Sequence, residues 1–123
     1  MTKDTFLHGV EQFNAGRFFE AHESWEEVWL KAAEPERTHL QGLIQITAAF
    51  HHYRHGNLEG ARRLLESALL KLSDAPDVLR GIKLGELEQA AAKWLGALDG
   101  PLRPSLPEPR IELAGHAANG VED

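Results

Sequence analysis

Apolar residues return every three to four positions through most of this chain, the spacing of helices that bury one face. Phe6, Leu7, Val10 and Phe13 predict a first helix from about Lys3 to Ala15, with Thr2 as N-cap and Gly16 as a left-handed stop. A second runs from about Phe18 to Ala33. A third opens near Pro35, a residue suited to a first turn, and ends before Gly56. Asn57 is a strong N-cap for a fourth helix reaching about Leu72, with Leu58, Ala61, Leu64, Leu65, Ala68, Leu69 and Leu72 on its buried face. After the turn at Ser73-Asp74-Ala75-Pro76, a short helix is expected over Asp77–Arg80. A fifth main helix runs from about Gly85 to Leu98.

Beyond Gly100 the pattern stops. Pro101, Pro104, Pro107 and Pro109 forbid a regular helix, so this stretch is expected to lie extended on the surface, pinned by Ile111 and Leu113. A weak internal repeat aligns Gly16 with Gly56, Phe18 with Leu58, Ala21 with Ala61 and Trp25 with Leu65. It reads as two helical hairpins, too few for a solenoid. The expected fold is all-α: a compact bundle of about five helices, built from two stacked helical hairpins, with an extended proline-rich C-terminal tail. A single helical domain is expected over residues 1–113, with a flexible terminus over 114–123.

Polar residues break the pattern in two places. With Phe18 at zero on a helical wheel, His22 and Glu26 fall near ~40° and ~80°, inside a wide apolar arc that includes Trp25 and Trp29. Glu20, Glu23, Glu27 and Lys31 take the opposite, solvent side. The third helix is apolar on most sides, yet Gln41, Gln45 and His52 fall within ~40° of one another. If the two helices are neighbours, these ridges face each other and enclose a small polar cavity. Two imidazoles and a carboxylate, His22, His52 and Glu26, suit a divalent transition metal such as zinc, iron or manganese. Trp25, Trp29, Gln41 and Gln45 would line the cavity. His51 and His55 form a pair closer to solvent, and His8, His39 and His116 follow no pattern.

Composition narrows the chemistry. The chain has 123 residues and a net charge of −6, which disfavours a phosphate backbone as partner, so no nucleic acid is expected. It has no cysteine, which excludes thiol catalysis and thiolate metal sites. No apolar run reaches the ~18 residues that a membrane span needs, and no leader is evident at the start. A soluble, cytoplasmic protein is expected. Glycine-rich phosphate loops and nucleophile elbows are missing from the sequence. His22-Glu23-Ser24-Trp25-Glu26 is not a zinc-protease motif, because it ends in Glu.

The run from Phe13 to Trp29, Leu40-Gln41-Gly42-Leu43-Ile44-Gln45, His51-His52 and Gly56-Asn57-Leu58-Glu59-Gly60-Ala61 together resemble the small helical family termed domain of unknown function 309. Gly81-Ile82 and Pro109-Arg110-Ile111-Glu112-Leu113 fit its pattern too. The resemblance implies a helical fold, and members of that family carry the label of predicted metal-dependent hydrolases. The family's His, Glu and Gln positions map onto His22, Glu26, Gln41, Gln45 and His52. Three readings stand side by side. One is a metal-dependent hydrolase. Another is a helical-repeat-like module that binds a small molecule or peptide, or forms a homodimer. The third is a structural His/Glu/Gln network.

Overall fold

The computed structural model describes residues 4–100 and 104–114. Five helices follow one another: α1 Thr5–Asn14, α2 Phe18–Lys31, α3 Glu36–Arg54, α4 Leu58–Lys71 and α5 Leu84–Leu98. Between α4 and α5 lie two short strands, β1 Val78–Leu79 and β2 Ile82–Lys83. The fold is thus mostly α, as the periodicity predicts. Thr2, Lys3, Pro101 and the terminus after Ala114 lie outside the described residues.

The cap of α1 is Asp4, not Thr2. Its Oδ1 accepts from the amides of Phe6 at 2.9 Å and Leu7 at 3.3 Å. The helix-to-helix corners after α1 and α3 are the same device. The Gly16 amide donates to the Phe13 carbonyl and the Arg17 amide to that of Gln12. Likewise Gly56 donates to Tyr53, and Asn57 to His52. Both are Schellman endings, which require a left-handed residue, and Gly16 (φ 80°) and Gly56 (φ 83°) supply it. Of the repeated positions that follow, Ala21 and Trp25 match Ala61 and Leu65 in burial, whereas Leu58, the counterpart of buried Phe18, is only half-buried. Phe18, Ala21 and Trp25 are buried on α2, and Ala61 and Leu65 on α4. Two hairpins, α1–α2 and α3–α4, are built on one local plan.

α3 is central. Leu40, Leu43, Ile46, Ala49 and Phe50 are all at most 1% exposed, and α3 packs on both α2 and α4. Such all-round burial is what an apolar helix without a solvent face predicts. Trp25 fills the gap between α1 and α2. Its indole is fully buried against Phe6 and Phe13, and its Nε1 donates to the Phe6 carbonyl at 3.0 Å. Gly9 of α1 makes this possible, because a Cβ there would lie 2.4 Å from that Nε1.

The segment expected as a short helix over Asp77–Arg80 is instead a β-hairpin. Val78 pairs with Lys83 and Leu79 with Ile82. Its two-residue turn is Arg80-Gly81, both with positive φ (48° and 86°). That backbone twist matches antiparallel strands and cannot continue a helix. The extended tail joins this hairpin: Lys83 donates to the Glu112 carbonyl, Ala114 donates to that of Gly81, and Leu113 bridges Ile82. Ile111 is buried, whereas Leu113 is held through its backbone and leaves its side chain exposed. Asn14 clamps the strap from α1, donating to the Ile111 carbonyl at 3.0 Å and accepting from its amide at 2.8 Å. Trp94 donates to the Pro107 carbonyl, and the Arg54 guanidinium grips Glu108 while also donating to the Gly16 carbonyl.

Candidate functional site

α2 and α3 lie antiparallel, as three ring contacts along the pair establish. Phe18 meets Phe50 with centroids 5.8 Å apart, Phe19 meets His51 at 5.8 Å, and near the other end the Arg37 guanidinium sits 4.1 Å over the Trp29 ring. The two polar ridges read from the wheel therefore belong to facing helices. They do not enclose a cavity inside the bundle. The pocket they border opens to solvent, has a volume of about 290 Å³, and is walled by Phe19, His22, Ala48, His51 and His52.

Each expected site residue has a definite place. His22 and His52 both line the pocket. Glu26 stands outside the wall: its side chain is 54% exposed, and its Oε2 lies 3.8 Å from His22 Nε2, beyond hydrogen-bond distance. Trp25 belongs to the core and is not in the wall of this pocket. Trp29, Gln41 and Gln45 are partly buried between the helices and do not form the wall of this pocket. Trp29 Nε1 and Gln45 Oε1 are both buried without a hydrogen-bond partner among the described residues.

Among the described residues, no group of three or more His, Asp or Glu side chains is arranged to hold a metal ion. His22, Glu26 and His52, as they stand, do not fit a three-ligand centre. Two further histidines complete a cluster. The His51 and His55 rings lie 4.4 Å apart, and His51 and His52 6.0 Å apart. Burial holds the His51 imidazole below its ordinary pKa, and the neighbouring His55, His52 and His22 push it the same way. The wall is therefore neutral at His51 near pH 7, and it is as much aromatic as polar.

The residue that organises this corner is Asn57. Its Oδ1 accepts from the Gly60 amide at 2.9 Å, capping α4. Its Nδ2 faces His52 Nδ1 at 3.1 Å. A Cβ at residue 60 would lie 2.5 Å from that Nδ2, so Gly60 gives the amide its seat.

Sequence reasoning did not select Phe19 or His51 as site residues. The signal was present: Phe19 is 53% exposed, because it lies ~60° round the wheel from His22, at the edge of the apolar arc. His51 precedes His52 and turns toward α2. His39, which follows no sequence pattern, is buried, with its Nε2 3.0 Å from Asp74 Oδ1. It ties α3 to the turn after α4 and takes no part in the pocket.

Comparison with known proteins agrees with the fold. Residues 6–64 match the family profile described as domain of unknown function (DUF309). A conserved hypothetical protein from Thermus thermophilus, whose crystal structure is known, is 38% identical, with a TM-score of 0.67 over 79% of this chain and all of that one. An uncharacterized protein of Aquifex aeolicus is 38% identical over 85 residues, which are 68% of this chain. The match spans only 26% of that longer relative. Both corner glycines and the pocket histidines lie within the matched stretch, and the chain belongs to the domain of unknown function 309 family.

Proposed function

We propose that this protein is a small-molecule-binding module whose site is the α2–α3 pocket. The observation that carries the reading is the convergence of three imidazoles, His22, His51 and His52, with an exposed phenyl ring, Phe19, on one opening. Pockets that hold small ligands combine apolar walls with a few placed polar groups, at volumes from ~300 Å³ upward. This one sits at the lower end of that range. A side chain such as Phe19, left 53% exposed beside the opening, gains from a ligand that covers it.

Metal-dependent hydrolysis, with His22, Glu26 and His52 holding zinc, iron or manganese, has less support. The carboxylate stands outside the wall, and no other carboxylate lines it. Self-association through α2 would use the exposed Phe19 and Leu30. Glu20, Glu23, Glu26 and Glu27 are exposed on the same helix, and a two-fold axis would oppose them to themselves. The occurrence of a matching stretch inside a longer relative suits a binding module.

The test is a screen of small organic molecules by calorimetry, with metal content measured alongside. Hits should lose affinity by tenfold or more in His22→Ala and His51→Ala, and purified protein should carry no stoichiometric metal. Hits indifferent to both substitutions, or stoichiometric zinc, iron or manganese lost in His22→Ala and His52→Ala, would reject the reading.

A further inference from the structure

We propose that the pocket recognises a small organic carboxylate through a fixed Nε2–H donor on His52, and that Asn57 sets this donor by excluding the tautomer a metal would need. This rests on the pocket being a ligand site. An amide side chain has one accepting oxygen and one donating NH2. Their hydrogen-bond partners tell the two apart. At Asn57 the assignment is forced. The atom facing the Gly60 amide must accept, because a backbone N–H can only donate. The other atom is then Nδ2, a donor, and it faces His52 Nδ1 at 3.1 Å.

The Asn57 Nδ2 therefore donates to His52 Nδ1, which must present its lone pair. A neutral imidazole has one N–H, so the proton of His52 sits on Nε2. Moving it to Nδ1 would set two donors against each other 3.1 Å apart. Binding a metal through Nε2 requires that reversed tautomer, normally fixed by an acceptor at Nδ1 such as a carboxylate or a carbonyl. Here the group facing Nδ1 is the Asn57 NH2, a donor. Neighbouring His55 shows the opposite arrangement, its Nδ1 donating to the His51 carbonyl at 2.8 Å. The two imidazoles are thus oriented differently by local structure.

With Nδ1 occupied, Nε2–H is the group His52 has to offer a ligand. It suits an acceptor, and the strongest acceptors of this size are carboxylate oxygens. Phe19 and Ala48 supply apolar wall for an aromatic or aliphatic body. The wall itself contains no acidic side chain, and Glu26 lies outside it.

Asn57→Asp isolates the claim. Aspartate caps a helix as well as asparagine does, and its charge suits a helix N-terminus, so the fold is kept. It has acceptors only, so one oxygen still takes the Gly60 amide while the other faces His52 Nδ1. The tautomer should reverse. The experiment is long-range 1H–15N correlation of the imidazoles in the full chain at about pH 8, above the ordinary histidine pKa. It is run on wild type and Asn57→Asp, each titrated with benzoate and, separately, with zinc.

The expected wild type shows His52 protonated on Nε2. Benzoate shifts His22, His51 and His52, and zinc leaves the His52 pattern unchanged. The variant should show His52 protonated on Nδ1, weaken benzoate by about tenfold or more, as loss of one hydrogen bond to a charged group implies, and engage zinc through His52. A wild-type Nδ1–H tautomer, or wild-type zinc binding at His52, would overturn the proposal. So would benzoate that leaves the three histidines unmoved. If neutral molecules move those same signals while benzoate does not, the ligand class is wrong and the pocket still stands.

Discussion

The side chain of Asn57 serves two elements at once: it caps α4 through the Gly60 amide and donates to His52 Nδ1 on α3 at 3.1 Å. The stability of the second hairpin and the chemistry of the pocket therefore share one residue. Asn57→Ala should lower stability by about 1–2 kcal/mol, the usual cost of losing a cap. Asn57→Asp should retain nearly all of it. Urea unfolding of the two variants checks this. Equal losses would show that the cap is not what Asn57 contributes to stability.

Gly9 and Trp25 are matched. A Cβ at residue 9 would press within 2.4–2.8 Å of three indole atoms, and the indole cannot move because it is fully buried and hydrogen-bonded to Phe6. Gly9→Ala should therefore destabilise despite its better helix propensity. A gain of about 1 kcal/mol from propensity is set against roughly 1–3 kcal/mol from overpacking. Gly9→Ala combined with Trp25→Phe should recover part of the loss, and a thermal unfolding cycle on the three proteins reads the coupling. Additive effects would mean that the contact is not what fixes Gly9.

The two corner glycines should differ. Both sit at positive φ, where alanine costs roughly 1–2 kcal/mol, but a Cβ at Gly56 meets nothing within 4 Å. At Gly16 it would lie 2.8 Å from the Arg54 guanidinium, which holds Glu108 of the strap and the Gly16 carbonyl. Gly16→Ala should cost more, and the excess should vanish in a Glu108→Gln, Arg54→Ala background. Denaturant midpoints of the paired variants measure it.

The lowered pKa of His51 fixes the sign of a pH effect. The folded imidazole resists protonation, so the unfolded chain takes up the proton first as pH falls. Stability contributed by the neutral ring is full above the ordinary histidine pKa of about 6.5 and is lost as pH drops from there through the lowered folded value. His51→Gln should flatten the difference in unfolding free energy between pH 8 and pH 5.5 relative to wild type. A steeper dependence in the variant would contradict the assigned direction.

Much of this was legible in sequence. The helices, the repeated glycine corners and the facing ridges of His22 and His52 follow from periodicity alone, because helix geometry converts spacing into direction. The β-hairpin escaped notice. Its strands have two residues each, too short for a period, and its turn uses Arg80-Gly81 instead of the Asn-Gly signature. The pocket was placed too deep, because a wheel gives direction but not the depth at which two helices part. Asn57 was legible as a cap. Its second bond was not, since it depends on how the α3–α4 corner folds His52 back. His39 was opaque for a similar reason: its partner, Asp74, arrives 35 residues later.

The most direct test of the central claim is a crystal structure with the tightest small molecule from the screen. The account predicts ligand density between Phe19, His22, Ala48, His51 and His52, with an acceptor atom within hydrogen-bond distance of His52 Nε2. Density instead in the larger groove of about 490 Å³ between α5 and the strap, beside Trp94 and Leu106, would place the functional site elsewhere and contradict it.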